Sequence, residues 1–219
     1  HSLPDDILIE PYLDRTELVS RAIGTVEKNL IEGALIVIFV LVLFLGNLRA
    51  GLIVASAIPL AMLFALGLMN LFGVSANLMS LGAIDFGLIV DGAVIVVEAT
   101  LHHLGLRKTV GKLTQQEMDE EVFVSASKIR NSAAFGEIII LIVYVPILTL
   151  IGIEGKMFGP MAQTVGFAIL GALILSLTYI PMMSALLLSK NLQNKHNFSE
   201  KMMNFFQLVY QPLLEKAIG

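Results

Sequence analysis

Three carboxylates lie inside one long apolar run, and this combination limits what the chain can fold into. The run extends from Asn77 to Leu104 and contains Asp85, Asp91 and Glu98. A helix needs about 20 mostly apolar residues to cross a bilayer. Acids inside such a helix cost a few kcal/mol each, face a bundle interior or a water-filled path, and usually mark ion or proton routes. The run therefore predicts a membrane helix with a transport function.

The composition also favours a polytopic membrane protein. The chain has 219 residues, of which 56% are hydrophobic and 15% are charged, a balance unlike that of a soluble domain. Its net charge of -4 offers no basic surface for nucleic acid. The absence of cysteine excludes disulfides and thiolate metal sites. Because the first residues form no signal peptide, we expect that they continue a longer chain.

Five apolar segments predict an all-α polytopic membrane protein with five transmembrane helices. We place the helices at 30–48, 52–72, 78–101, 132–153 and 160–188. Pro59, Pro146 and Pro181 lie within them, which a bundle tolerates because neighbouring helices satisfy the freed carbonyl groups. Pro160 is expected in the first turn of the last helix, and Glu154 to Lys156 in the loop before it.

The membrane region, 30–190, is flanked by two shorter pieces. Residues 1–29 predict a small extracytoplasmic α/β piece, with a strand over 7–12 and then a helix that runs unbroken into the first membrane segment. Residues 191–219 predict an amphipathic helix lying on the cytoplasmic leaflet of the lipid bilayer. The alternative for this last helix is packing of its apolar face on a soluble partner.

The distribution of basic residues predicts the orientation in the membrane. One set of connections and the C-terminal tail carry most of the positive charge: Arg49, Arg107, Lys108, Lys112, Lys128, Arg130, Lys190, Lys195 and Lys201. The connections on the opposite side carry Lys156 alone. We therefore expect the N-terminus to be periplasmic and the C-terminus cytoplasmic.

The spacing of the three acids predicts their arrangement on the helix. Asp91 and Glu98 share one face, with Glu98 about 10 Å closer to the cytoplasm, whereas Asp85 falls about 120° away from Asp91. A carboxylate in a low-dielectric environment takes up a proton more readily than in water, as a proton carrier must. The alternative is that the acids pair with a fixed cation and only hold helices together. Three glycines allow close helix packing: Gly82, Gly87 and Gly92.

The run SLGAIDFGLIVDGAVIVVEA, residues 80–99, resembles the fourth transmembrane helix of resistance-nodulation-division (RND) efflux pumps. Within that family it is similar to the heavy-metal pumps of the cobalt–zinc–cadmium type. Other runs that carry the resemblance are PYLDRTELV, TVEKNLIEGALIV, FLGNLRAGLIVASAIPL, VYVPILTLIGIEGKMFGPMA and LGALILSLTYIP. They extend from about residue 3 to the C-terminus.

This resemblance implies a proton-driven antiporter of the bacterial inner membrane that exports divalent heavy-metal cations. The family pattern DFG-x3-DGA-x4-E places proton-relay carboxylates on Asp85, Asp91 and Glu98. Ala99 departs from the asparagine that usually follows the glutamate, which weakens the assignment of Glu98 most. Ile89 and Val90 stand where silver and copper pumps have a nearby methionine. That difference favours Zn, Co, Cd or Ni over Cu(I) or Ag(I), and leaves open which divalent metal is carried.

The resemblance also implies partners that lie outside these residues. The chain would supply helices two to six of a twelve-helix pump, together with the end of a periplasmic region. The implied partners are the rest of the RND chain, including a lysine that answers the relay aspartates, further copies in a homotrimer, a periplasmic adaptor and an outer-membrane channel. No cofactor and no metal-ligand set is predicted within the chain. A fragment of a longer protein and a truncated gene product both fit.

Three other functions are compatible with parts of the pattern. A multidrug RND pump normally has two adjacent aspartates on this helix, whereas Asp85 and Asp91 are six residues apart. An intramembrane aspartyl protease needs aspartates on two facing helices, so we set it aside. A truncated remnant that does not transport stays open.

His102 and His103 are not predicted as a metal pair, because adjacent helical side chains point apart. We expect them to meet the negative end of the helix dipole.

Overall fold

The computed structural model describes residues 15–75, 80, 82–106, 113–189 and 210. Its helices, numbered here in chain order, are α1 Arg15–Leu45, α2 Leu48–Phe72, α3 Phe86–Leu106, α4 Gln115–Leu148, α5 Gly152–Leu177 and α6 Tyr179–Leu187. The strand predicted at 7–12 and, apart from residue 210, the tail helix predicted at 191–219 lie outside the described residues. In the ranges that are described, every regular element is an α-helix, so the predicted all-α membrane bundle is confirmed.

Five helices are long and apolar enough to cross a membrane. These candidate spans are Val19–Leu45, Leu48–Phe72, Phe86–Leu106, Gln115–Leu148 and Gly152–Leu177. Large apolar side chains cover their outer surfaces; Phe39 and Phe135, for example, are each 67% exposed. A soluble protein rarely leaves so many large apolar groups in water. We therefore describe the chain as a multi-pass membrane protein.

The helix α1 confirms the expectation of one continuous helix that enters the apolar region from a polar start. It ends at Leu45, where Gly46 takes a left-handed conformation with φ of 59°, which glycine adopts without a steric penalty. Asn47 then caps α2, because its side-chain oxygen accepts hydrogen bonds from the backbone N–H groups of Arg49 at 3.0 Å and Ala50 at 3.4 Å. This turn of two residues sets α1 directly beside α2.

Small side chains bring α2, α3 and α5 close together at the centre of the bundle. The buried alanines include Ala61 and Ala65 on α2, Ala93 on α3 and Ala172 on α5. Without a hydrophobic effect between helices in lipid, association depends on such close van der Waals packing. The helix α3, which carries the acidic motif, consequently contacts all five other described helices.

The helices α4 and α5 begin well before the apolar segments indicate. The helix α4 begins at Gln115, because Thr114 and Glu117 form a reciprocal capping box in the mixed-charge stretch that precedes the apolar run. The helix α5 begins at Gly152, so the loop predicted over 154–156 is wrong and Pro160 lies inside the helix rather than in its first turn. Helices commonly extend beyond their apolar part, because polar residues at their ends remain compatible with helical geometry.

We predict that Gly51→Ala destabilises the α1–α2 contact. A Cβ atom at Gly51 would lie 3.0 Å from the Val42 Cα and 3.2 Å from the Val42 N, so backbone atoms would have to move. The expected cost is about 1–3 kcal/mol, measured as lowered thermal stability of the purified protein in detergent. The matched control is Gly67→Ala, because a Cβ at Gly67 meets nothing within 4 Å. Equal stability of the two variants would contradict the prediction.

Candidate functional site

Asp85 lies just before helix α3, not within it. The helix begins at Phe86, and the Asp85 Oδ1 accepts a hydrogen bond from the Gly87 N–H at 2.8 Å. Aspartate is favoured at such a position because its side chain satisfies a backbone N–H that has no partner inside the helix. The prediction that Asp85 lies within a helix over 78–101 is therefore wrong, and its side chain is bound to the first turn of α3 instead.

An open cavity of about 470 Å³ lies beside Asp85. Residues of α1, including Asn29 and Gly33, form one side, and the stretch from Gly82 to Phe86 forms the other. Apart from backbone groups, Asn29 and Asp85 are the polar residues among those lining this cavity. The Asp85 carboxylate is exposed, so water in the cavity can reach it.

Asp91 and Glu98 lie on one exposed face of α3, as their spacing predicts. Ile95 lies between them and is also exposed. The Asp91 and Asp85 carboxylates are close enough to interact electrostatically. We define the acidic face as Asp91, Ile95 and Glu98. The described residues of the five other helices do not cover it. The face is therefore available to water or to a further protein segment.

A neighbouring side of α3 meets α4 through a line of polar contacts. The Thr100 and Ser125 hydroxyl groups lie 3.2 Å apart and are both buried. Closer to the end of α3, His103 Nε2 lies 2.8 Å from Glu121 Oε2. The expectation that His103 only meets the helix dipole was incomplete, because a carboxylate partner comes from a helix that is distant in sequence. The two helices thus run antiparallel with their polar groups paired.

Glu137 occupies the same α3–α4 interface and is absent from the sequence predictions. It is only 2% exposed, and its carboxylate lies directly against Gly92 of α3. Neither of its oxygens makes a hydrogen bond to the described residues. The sequence does contain a signal, since Glu137 is the one charged residue between Asn131 and Ile153. An acid within an apolar helix is the same feature that identified Asp91 and Glu98.

Glycine at position 92 makes this arrangement possible. A Cβ atom there would lie 2.7 Å from the Glu137 Cδ and 3.1 Å from the Ser176 Oγ, and it would overlap one carboxylate oxygen. The Glu137 side chain thus fills the space that any other residue at position 92 would use. Asp91 and Glu137 consequently lie on two sides of α3 at nearly the same height.

The described part of the chain contains no ready-made cluster of metal-ligating side chains. Within those ranges, no three or more His, Cys, Asp or Glu side chains come together in a way that could hold an ion. Asp85, Asp91, Glu98 and Glu137 are instead spread over the start of α3, one exposed face and one buried interface.

Comparison with known proteins identifies the family. The sequence matches the AcrB/AcrD/AcrF family over residues 1–219. The chain belongs to this family. Cobalt-zinc-cadmium resistance protein CzcA of Cupriavidus metallidurans is 49% identical over 220 residues, which cover 100% of this chain and 20% of that protein. Nickel-cobalt-cadmium resistance protein NccA of Alcaligenes xylosoxydans xylosoxydans is 44% identical, again over 100% of this chain and 20% of the relative.

Solved structures agree with the family assignment. The X-ray crystal structure of a heavy metal efflux pump, crystal form I, superposes with a TM-score of 0.71 at 44% identity, covering 82% of this chain and 17% of that one. The resemblance to heavy-metal RND pumps of the cobalt–zinc–cadmium type is thereby confirmed. The chain spans about a fifth of the length of the curated AcrB/AcrD/AcrF relatives, each matched over 20% of its length.

We predict that Gly92→Ala and Glu137→Ala are strongly coupled in this AcrB/AcrD/AcrF family member. The single change Gly92→Ala should destabilise the protein by about 1–3 kcal/mol, because the added methyl group overlaps the Glu137 carboxylate. Removing that carboxylate in the double variant should restore about 0.5–3 kcal/mol. Thermal stability in detergent provides the measurement. The control cycle combines Gly67→Ala with Glu137→Ala and should be additive; additivity in the Gly92 cycle would refute the proposed contact.

Proposed function

We propose that this chain is the proton-relay part of an RND antiporter that exports divalent heavy-metal cations. The observation that carries the proposal is the acidic face of α3: Asp91 and Glu98 lie two turns apart on the same face of a helix that is otherwise apolar enough to cross a membrane. Such acids are costly and are retained where they bind ions or protons. The metal-resistance names of the relatives CzcA and NccA supply the substrate class.

The three acids of the motif have different roles in this proposal. Asp85, which borders the open cavity, exchanges protons with water at the start of α3. Asp91 lies deeper in the apolar segment and is the principal relay residue, and Glu98 continues the route toward the end of α3. Because the acidic face is uncovered by the described helices, the cation that answers Asp91 would come from the other half of the pump. An opposite charge nearby favours the ionised form of a carboxylate, which would release the proton.

The substrates proposed are Zn, Co, Cd or Ni ions, and these bind elsewhere in the pump. The name of CzcA includes cobalt, zinc and cadmium, and the name of NccA includes nickel, cobalt and cadmium. The chain contains no cysteine, and the described ranges hold no ligand cluster. In the assembled protein we expect a homotrimer in the inner membrane, joined to a periplasmic adaptor and an outer-membrane channel.

Asp91→Asn in the intact pump should abolish zinc export driven by a pH gradient. The change keeps the size and hydrogen bonding of the side chain but removes the proton that titrates. Export should fall to background, with Asp85→Asn next in severity and Glu98→Gln mildest. Proteoliposomes with an imposed pH gradient and a zinc-sensitive dye provide the measurement. Asp119→Asn is the matched control, because Asp119 is exposed near the start of α4; zinc export at the wild-type rate by Asp91→Asn would overturn the relay assignment.

The proposed orientation places the start of α1 in the periplasm and the end of α6 in the cytoplasm. It rests on the excess of basic residues in the connections around α4 and after α6. A phosphatase fused after Gly155 should be active, because this enzyme folds only outside the cytoplasm, and one fused after Lys112 should be inactive. The measurement is phosphatase activity of whole cells at equal expression. Activities in the reverse order would contradict the orientation.

A further inference from the structure

The buried carboxylate of Glu137 has no assigned part in the relay described above. It lies on α4, in contact with Gly92 of α3, and near Ser176 of α5. Three helices therefore meet at this side chain. Its burial is nearly complete at 2% exposure, which makes it the least exposed acid among the described residues.

The polar groups around Glu137 are already committed to other partners. The Ser176 hydroxyl donates to the Leu173 carbonyl at 2.9 Å. The Gly92 N–H lies inside helix α3, where backbone N–H groups bond to carbonyls of the preceding turn. The Ser176 hydroxyl and the Gly92 N–H are the polar groups nearest to the Glu137 carboxylate, and neither reaches it with the geometry of a regular hydrogen bond. Neither group carries a positive charge that would balance an ionised carboxylate.

Charged side chains do not compensate Glu137 either. On α3, Asp91 is the acid close enough to interact with it electrostatically, and that charge has the same sign. The helix α5 carries no charged residue between Met157 and Leu177, and α2 carries none between Ala50 and Phe72. On α4 itself, the residues one turn away from Glu137 are alanine, isoleucine and leucine.

An ionised carboxylate in this position would be very unfavourable. Burying a charge without a partner costs far more than burying the neutral acid. In the packing seen here, the side chain is therefore expected to hold a proton. Ionisation would require water to reach it, which the close packing of α3 against α4 and α5 prevents in this structure.

We propose that Glu137 is a further proton-binding residue of the transporter, one that holds its proton while α3 is packed against α4 and α5 and releases it to water when α3 separates from them. This inference rests on the proposed proton-driven function. Release of the proton leaves a carboxylate beside Gly92, which opposes repacking of α3 until a proton is bound again. The residue would thus link the position of α3 to the protonation of the site, in addition to the relay on the acidic face.

The test uses infrared spectroscopy of the full-length pump during a pH titration. A protonated carboxylic acid has a characteristic C=O stretching band. We expect that the wild type shows such a band at neutral pH and that Glu137→Gln loses it. Glu154→Gln, the matched control at an exposed glutamate at the start of α5, should keep it. Persistence of the whole band in Glu137→Gln would overturn the proposal.

Transport measurements distinguish this proposal from the broader one. In proteoliposomes, Glu137→Gln should lose the dependence of zinc export on pH that the wild type shows, and Glu137→Asp, which restores a titrating group, should recover part of it. If the wild type exports zinc with the pH gradient and Glu137→Gln has the same pH profile, Glu137 has no such role although the proposed function stands. If the wild type does not respond to the gradient at all, the proposed function fails, and the infrared band alone decides whether Glu137 binds a proton.

Discussion

Close contact between helix α3 and its neighbours is the interaction on which the bundle depends. Alanines on α2, α3 and α5 let the three backbones approach, and Gly92 lets α4 place a carboxylate directly against α3. In lipid, helices associate through such packing rather than through the hydrophobic effect. The same contact excludes water from one side of α3 while the acidic face on its other side remains uncovered. The carboxylates on the two sides of α3, its own Asp91 and Glu98 and the Glu137 of α4, thus lie in environments of very different polarity.

The fold could be predicted because apolar length is a strong signal. Five apolar segments became five helices of membrane-spanning length, although the last segment is divided at Thr178 into α5 and the short helix α6. Helix ends were less predictable, since α4 and α5 extend into polar sequence where capping and glycine conformation decide the boundary. Thr114 with Glu117 and Gly152 with φ of 76° are such local determinants. The hydropathy pattern does not predict these boundaries, because they are set by hydrogen bonds and backbone geometry.

The sequence predicted the candidate site only where its carboxylates lie along one helix. Spacing alone places Asp91 and Glu98 on a shared face, as observed. Asp85 escaped this reasoning because the helix begins only after it, where its side chain accepts a hydrogen bond from the Gly87 N–H. The environments of Glu137 and His103 depend on α3 and α4 packing together, and positions 92 and 137 are far apart in sequence. A lone acid in an apolar segment should therefore be considered together with the glycines of neighbouring segments.

Charge balance gives a reason for a chain of this kind to carry several protonatable groups. In the proposed antiporter, a divalent cation exported from the cytoplasm moves two positive charges outward, against a membrane potential worth about 2.3 kcal/mol per charge per 100 mV. Two protons moving inward cancel that cost, and only further protons, or a pH difference, leave a net driving force. A single carboxylate carries one proton per cycle. With the proposed relay of Asp85, Asp91 and Glu98 and the proposed proton site at Glu137, more than one proton would move for each metal ion.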